Sequence, residues 1–216
     1  WLGMAALVVL CAYAGIGLAD SIHFRLPLPR SNDSAPDRGA EYSTEVVSLL
    51  DVLVLPLKER VEKTYSAPFA THLYAKETIE RADGAQAREF PRLRYGGAHL
   101  ADPSADRWRD VAGTTMVGTI EGLLAWGLLI AIVVTWQARR VGVPWGDMLG
   151  RLVRGDTDTP WLVILATLGA LIVLGFVIGN QALKYHVFGT DKVGTDVLYL
   201  SLKSIRTGIV IGTLTT

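Results

Sequence analysis

The chain has 216 residues with 21 basic and 21 acidic side chains, so its charge balance gives no reason to expect a nucleic-acid partner. Half of its residues are hydrophobic and 19% are charged, which is below the roughly 25% typical of soluble proteins. Residues 19–112 hold 13 of the basic and 15 of the acidic groups, and this uneven placement predicts membrane-spanning segments around one polar domain. The single cysteine excludes an intrachain disulfide, and the four widely spaced histidines predict no metal centre.

The first apolar run, residues 1–19, predicts transmembrane helix 1, since a spanning helix needs about 20 mostly apolar residues. The run starts at once with Trp1 rather than with a methionine, and the chain stops at Thr216 within another apolar run. Both ends therefore indicate a piece of a longer protein. A cleaved signal peptide is the alternative for the first run, but Gly17-Leu18-Ala19 offers only a weak cleavage site.

Residues 20–112 predict a small α+β domain outside the membrane, which opens with the Pro- and Ser-rich linker LPLPRSNDSAPDRG. A helix with an apolar stripe is expected next, with Ser43 or Thr44 as its cap and Pro56 as the point at which it kinks or splits. The apolar residues of that stripe are Val46, Leu50, Leu53, Leu57 and Val61.

The second half of this domain predicts a hairpin and the start of a long helix. Asp83-Gly84 supplies the positive φ angles that a tight turn between two strands needs. Asp102-Pro103 then has the pattern of a helix cap followed by the first helical position. We expect this helix to continue into the second apolar run, residues 113–136.

The second apolar run, transmembrane helix 2, contains one ionisable residue and a pair of spaced glycines. Glu121 is a possible intramembrane polar site, because an ionisable side chain at membrane depth is costly. It could pair with a basic group, line a cavity, or reach the outer interface two turns away. Gly118 and Gly122 have the spacing that lets two helices approach closely, which predicts a helix-packing contact.

Residues 137–160 predict a loop that includes a short helix lying in the membrane interface, although an ordinary helical turn is the alternative. Arg139-Arg140, directly after the second run, favours a cytoplasmic position for this loop. Residues 20–112 and 181–206 would then lie outside, and residues 161–180 form transmembrane helix 3. The apolar face of the short helix consists of Trp145, Met148, Leu149, Leu152 and Val153.

The segment after the third run contains HVFGTDKVGTDVL, an unusual cluster of turn-forming residues between two apolar runs. Gly189 and Gly194 permit sharp backbone turns, and Asp191 can accept hydrogen bonds from backbone amides further along. Asp196 can cap an amphipathic helix that leads into transmembrane helix 4, residues 207–216. We expect no base, metal ligand or nucleophile near the two aspartates, so we predict no catalytic residue.

The same stretch resembles the motif HPLGTDxxGRDVLSRLxYGARxSLxxG of the inner-membrane permeases of dipeptide, oligopeptide and nickel ABC importers. The resemblance extends over residues 144–216. It departs from the motif at Thr195, where the family has arginine, and at Ser204, where the family has glycine. The matching residues are His186, Gly189, Thr190, Asp191, Gly194, Asp196, Val197 and Leu198, with Arg206 and Gly212 at the later Arg and Gly of the motif.

This resemblance implies an all-α polytopic membrane protein, a partial type I ABC transmembrane domain of the bacterial inner membrane. In that family an interfacial elbow helix precedes a span that leads out to the GTD segment. The first two spans, with the α+β domain between them, would then be an additional N-terminal module. A structural or gating role at the periplasmic turn and helix cap is implied for Gly189, Thr190, Asp191, Gly194, Asp196 and Arg206.

The implied function is transport of a small solute, peptide or nickel, by alternating access. The implied partners are a second permease subunit, ABC ATPase subunits, a periplasmic solute-binding protein and the lipid bilayer. ATP and Mg²⁺ would be bound by the ATPase subunits. This chain has no phosphate-binding glycine loop with a lysine, so we expect it to bind no cofactor and not to be an enzyme. The loop that couples a permease to its ATPase would lie beyond Thr216.

Two other classes of function are compatible with these residues. A membrane receptor or sensor would also place a periplasmic ligand-binding domain between two spans, although no signalling module follows the second span. An envelope scaffold would use the same domain to bind envelope components.

Overall fold

The computed structural model describes residues 1–27, 42–80 and 86–215. Within these ranges the chain forms helices joined to a polar domain with two small sheets. The helices are α1 (Leu2–Ser21), α2 (Leu49–Leu53), α3 (Leu55–Glu59), α4 (Pro103–Val141), α5 (Trp145–Arg154), α6 (Trp161–Ala182) and α7 (Val197–Leu214). The strands are β1 (His23–Pro27), β2 (Tyr42–Ser48), β3 (Glu77–Glu80) and β4 (Gln86–Glu89).

Four of these helices, α1, α4, α6 and α7, are long and apolar enough to cross a membrane. This finding identifies the chain as a multi-pass membrane protein. Helix α4 has 39 residues, a length of about 58 Å at 1.5 Å per residue. That is about twice the thickness of a bilayer's hydrocarbon core, so the first turns of α4 belong to the polar domain. Helix α7 is also continuous, so the predicted amphipathic helix and the fourth span are one element.

Helix α4 begins where Asp102-Pro103 predicts a cap and a first helical position. One Asp102 carboxylate oxygen accepts hydrogen bonds from the backbone N–H groups of Ser104 (2.9 Å) and Ala105 (3.3 Å). At the other end Gly142 adopts a φ of 75° and its N–H donates to the Ala138 carbonyl. A glycine in this left-handed conformation is a common way for a helix to end.

Helices α4 and α6 pack closely along their length because α4 carries glycine at the contact. A Cβ added at Gly118 would lie 2.9 Å from the Cα of Val177, and one added at Gly122 would lie 2.7 Å from the Cα of Val173. One turn further along, the Trp126 indole N–H donates to the Leu165 carbonyl at 2.8 Å. The two helices therefore meet backbone to backbone.

We expect Gly122→Leu to lower the free energy of unfolding by about 1–3 kcal/mol, because the new side chain forces the two helix backbones apart. The measurement is the thermal unfolding midpoint of the protein purified in a mild detergent. Gly127→Ala is the matched control, since nothing lies within 4 Å of its added Cβ. Alanine at that helical position should leave the midpoint unchanged or raise it. An equal loss in the two variants would contradict this account of the packing.

Helix α5 packs against the end of α4 with part of its predicted apolar face. Met148 and Leu152 are buried against Val134 and Ala138 of α4. Trp145 and Val153, which the sequence assigns to the same face, are 47% and 62% exposed. The helix therefore divides its apolar residues between the protein and its surroundings, an arrangement compatible with an interfacial position.

The segment 42–48 forms strand β2, and the helix predicted to begin at Ser43 or Thr44 is wrong. The β-branched residues Thr44, Val46 and Val47 favour a strand, and β2 pairs antiparallel with β1. The helix starts later, where Ser48 caps α2 and forms a capping box with Asp51. The chain is no longer α-helical at Val54, and Pro56 lies in the first turn of α3, so the predicted split at Pro56 is observed.

The predicted hairpin is formed by β3 and β4, which pair antiparallel from Glu77 with Glu89 to Glu80 with Gln86. Its Asp83-Gly84 turn lies outside the described residues, as does most of the Pro- and Ser-rich linker. Among the described residues, each of the two sheets of the polar domain has two strands.

Candidate functional site

The segment 183–196, between α6 and α7, lies against the polar domain and forms the best-defined site of the molecule. We call this contact the junction. Its backbone is held by hydrogen bonds to two parts of the domain, residues 62–69 and Gly97. They run from the Glu62 N–H to the Gly194 carbonyl (2.9 Å), from the Phe69 N–H to the His186 carbonyl (3.0 Å), from the Thr190 N–H to the Ser66 carbonyl (3.2 Å) and from the Gly97 N–H to the Lys184 carbonyl (2.9 Å).

Two glycines of the motif allow this close approach. Gly189 and Gly194 adopt φ angles of 75° and 82°, which disfavour residues with a Cβ. A Cβ at Gly194 would overlap the backbone carbonyl of Glu62, and one at Gly189 would overlap that of Ser66. The two glycines therefore serve the contact with the domain as well as the turn.

The polar side chains of the motif fix the shape of the segment. One Asp191 carboxylate oxygen accepts from the Val193 N–H at 3.0 Å and the Thr195 N–H at 2.8 Å. The Thr190 hydroxyl donates to the Thr64 carbonyl at 2.8 Å, which ties the turn to the domain. These bonds tie side chains of the motif to backbone groups of the turn and of the domain.

His186 lies at the centre of the junction between two carboxylates. Its Nδ1 is 2.7 Å from an Asp196 oxygen and its Nε2 is 3.2 Å from a Glu62 oxygen. All three side chains are at most 3% exposed. Asp196 also caps α7, because its other oxygen accepts from the Leu198 N–H at 2.8 Å. This buried triad joins the domain, the segment and the start of α7.

The charges of this triad stabilise one another. Burial by itself favours a neutral imidazole, but the hydrogen bonds to Asp196 and Glu62 raise the pKa of His186 to about 9. Burial likewise disfavours a charged Glu62, but its hydrogen bonds lower its pKa to about 2. Besides His186, the donors to Glu62 are the backbone N–H groups of Arg94 (2.9 Å), Tyr95 (2.8 Å) and Gly96 (3.3 Å). At neutral pH the ring is therefore a cation that donates both of its N–H groups.

A second cluster, built on two buried carboxylates, links α7 to α1 and to the start of α2. The Lys203 ammonium lies 2.6 Å from an Asp20 oxygen and 3.0 Å from an Asp51 oxygen. The Tyr199 hydroxyl donates to the same Asp51 oxygen at 2.9 Å, and the Arg206 Nε is 3.5 Å from Asp20. Burial opposes a charged Asp51, but the Ser48 N–H, Lys203 and Tyr199 together hold its pKa well below the usual range. Arg206 thus belongs to this cluster rather than to the turn.

We expect Lys203→Met to lower the free energy of unfolding by about 2–3 kcal/mol, because it leaves the buried Asp20 carboxylate without its closest cation. The readout is the thermal unfolding midpoint in detergent at neutral pH. Lys192→Met is the control, since Lys192 lies exposed at the tip of the turn. If both substitutions shift the midpoint equally, the cluster does not hold α7.

Glu121 lies on an exposed part of α4, and its partner is an amide rather than a basic group. Its carboxylate accepts a hydrogen bond of 2.7 Å from the Asn180 side chain. Asn180 is two residues before the end of α6, on the side of the polar domain. Glu121 is therefore paired with the last turn of α6.

Sequence reasoning missed the partners that the domain contributes to these clusters. The sequence does not single out Glu62, Asp20 or Asp51. His186 lies beside Asp196 but is charged there, so it is a partner of the carboxylate and not a base. Both ring nitrogens of His186 are already used in the triad, so the ring has no nitrogen with which to accept a substrate proton. Among the described residues no group of three or more His, Cys, Asp or Glu could hold a metal ion.

Comparison of the chain with protein-family models, curated proteins and solved structures finds no match.

Proposed function

We propose that the chain is part of a permease subunit of an ATP-driven ABC importer, of the kind that moves peptides or nickel across the bacterial inner membrane. One observation carries the proposal: the residues of the GTD motif form a single hydrogen-bonded turn and helix cap between two helices of membrane-spanning length. That is the position and the structural role which the resemblance implies for them.

The order of elements around the motif supports the same proposal. Helix α5 is short, amphipathic and packed on the end of α4, and it precedes the apolar helix α6. The resemblance implies this succession of an elbow helix, a span, the GTD segment and a further span. In the proposal, α1, α4 and the polar domain are an additional module. It is bound to the permease by the junction, by the packing of α4 on α6 and by the Lys203 cluster.

The proposed role of this subunit is mechanical rather than covalent. The Glu62–His186–Asp196 triad and the Lys203 cluster join the polar domain to α7 at two points. A movement of α7 during alternating access would therefore carry the domain with it. ATP hydrolysis, with its Mg²⁺, would take place in ABC ATPase subunits, and a second permease and a periplasmic solute-binding protein would complete the importer.

The test is a pull-down of the full-length protein from membranes in a mild detergent, followed by mass spectrometry. An ABC ATPase recovered together with a second permease is the expected result. The control is a known importer from the same cells, whose subunits must stay together under the same conditions. If the control complex survives and the full-length protein brings no ATPase, the proposal is wrong.

A receptor is the second candidate, and one observation favours it. Helix α4 runs without interruption from the polar domain through its apolar part to Val141. A conformational change in the domain could therefore be transmitted along this one helix. In this case the pull-down would recover a kinase, a cyclase or another signalling protein instead of an ATPase. The two outcomes separate the candidates in one experiment.

A further inference from the structure

A cleft of about 680 Å³ lies between the first turns of α4 and the end of α6, apart from the buried triad. Its volume is within the range of small-molecule sites. The loop before α4 contributes His99, and the segment after α6 contributes Lys184. Helix α4 lines the cleft from Asp106 to Val117.

The cleft lies where α4 changes from charged to apolar residues. Asp106 and Val117 are eleven residues apart on α4, which is about 16 Å along the helix. The charged residues of α4 in this region end at Asp110, and the apolar run begins a turn later. Below the cleft the helix exposes large apolar side chains on either side of Glu121, whose carboxylate is held by Asn180. These side chains are Met116, Val117, Ile120, Leu123 and Leu124. A molecule in the cleft would therefore have its polar part beside charges and its apolar part along the exposed apolar side chains of α4.

Two of the charged groups that line the cleft, Asp110 and Lys184, are already paired with each other. Asp110 accepts from Lys184, His99 and Tyr185, each at 2.9 Å. Lys184 also donates to the Thr114 hydroxyl at 2.9 Å. These groups form a fixed polar surface rather than a free charge.

Two opposite charges at the rim remain available. Arg109 and Asp106 both line the cleft and are exposed, and neither has an ion-pair partner among the described residues. A guanidinium binds phosphate oxygens in a two-pronged geometry, and a carboxylate accepts hydrogen bonds from a primary ammonium group. The rim therefore presents one site for a phosphate and one for an ammonium within a single cleft.

We propose that this cleft binds the headgroup of a phospholipid that carries a phosphate and a primary ammonium group, with its acyl chains along the exposed apolar face of α4. Arg109 binds the phosphate and Asp106 binds the ammonium. Asp106 disfavours a purely anionic headgroup at this position. The glycine at position 113, which has no atom within 4 Å of its added Cβ, leaves room for the glycerol part of the lipid.

The experiment is native mass spectrometry of the detergent-purified full-length protein, titrated with phosphatidylethanolamine, phosphatidylcholine or phosphatidylglycerol of identical acyl chains. We expect phosphatidylethanolamine to bind about tenfold more tightly than either of the others, since each lacks the hydrogen bonds of a primary ammonium. Arg109→Gln should weaken its binding, and Asp106→Asn should abolish the preference over phosphatidylcholine. Arg139→Gln, at the other end of α4, is the matched control and should change neither.

Each other outcome would overturn the proposal in a defined way. Equal binding of the three lipids would identify ordinary annular lipid. Tighter binding of phosphatidylglycerol would show that the basic side chains of the cleft determine affinity and that Asp106 does not select for an ammonium group. Water-soluble glycerophosphoethanolamine, which has the same headgroup but no acyl chains, tests whether the ligand is a lipid. If it binds as tightly as the lipid, the apolar face of α4 contributes nothing and the ligand is a soluble zwitterion.

Discussion

Gly194→Ala is expected to lower the free energy of unfolding by about 2–5 kcal/mol, since two separate costs add. The first is conformational: a φ of 82° costs a residue with a Cβ about 1–2 kcal/mol. The second is steric, because the Cβ would overlap the Glu62 backbone carbonyl, and forcing atoms into a packed contact costs about 1–3 kcal/mol. The measurement is the thermal unfolding midpoint in detergent, together with the rate at which a protease cleaves the polar domain.

Gly142→Ala separates the two costs. Gly142 has nearly the same φ, 75°, but nothing lies within 4 Å of its added Cβ, so only the conformational cost applies. We expect a loss of about 1–2 kcal/mol there and no change in protease sensitivity of the polar domain. If Gly142→Ala and Gly194→Ala have equal effects, the contact between Gly194 and Glu62 is not what the glycine serves.

The features that the sequence predicts correctly are those set by neighbouring residues. The apolar runs that become α1, α4 and α6 are recognisable because a bilayer requires a fixed length of apolar residues. The start of α4 follows from Asp102-Pro103, and the start of α7 follows from Asp196, because a cap acts on amides within three residues. The turn geometry around Asp191 is local for the same reason.

The features that the sequence does not predict depend on distant contacts. The segment 42–48, YSTEVVS, fits both the start of a helical stripe and a strand, and its pairing with β1 decides for the strand. Glu62 and His186 are 124 residues apart, and Lys203 and Asp20 are 183 apart. Nothing near Glu62 in the sequence indicates that it meets a histidine. A buried triad of this kind becomes visible only when the segments of the fold are brought together.

His186→Ala is expected to lower the free energy of unfolding by about 3–5 kcal/mol at neutral pH, because it leaves two buried carboxylates without their shared cation. Glu62 would keep its backbone donors and Asp196 would keep the Leu198 N–H. The lost stability therefore comes from the imidazolium charge and from the packing of the ring. The measurement is the thermal unfolding midpoint in detergent as a function of pH.

The pH dependence follows from the direction of each pKa shift. The pKa of His186 rises from 6.5 to about 9 on folding, so its contribution is fully present below pH 6.5 and is lost as the pH rises through 9. The pKa of Glu62 falls from 4.5 to about 2, so its contribution is present above pH 4.5 and is lost as the pH falls through 2. The stabilisation by the triad is therefore largest between about pH 4.5 and 6.5, and the difference between the native protein and His186→Ala should shrink as the pH rises through 9.

Two further variants distinguish the charge of the triad from its packing. His186→Gln keeps a polar side chain of similar reach but carries no charge, so it should recover part of the stability without the loss between pH 6.5 and 9. His72→Ala is the control, because His72 is an exposed histidine of the polar domain and its removal should change the midpoint little. A His186→Gln protein that still loses stability through pH 9 would place the titrating group elsewhere, and the triad would then be a packing contact alone.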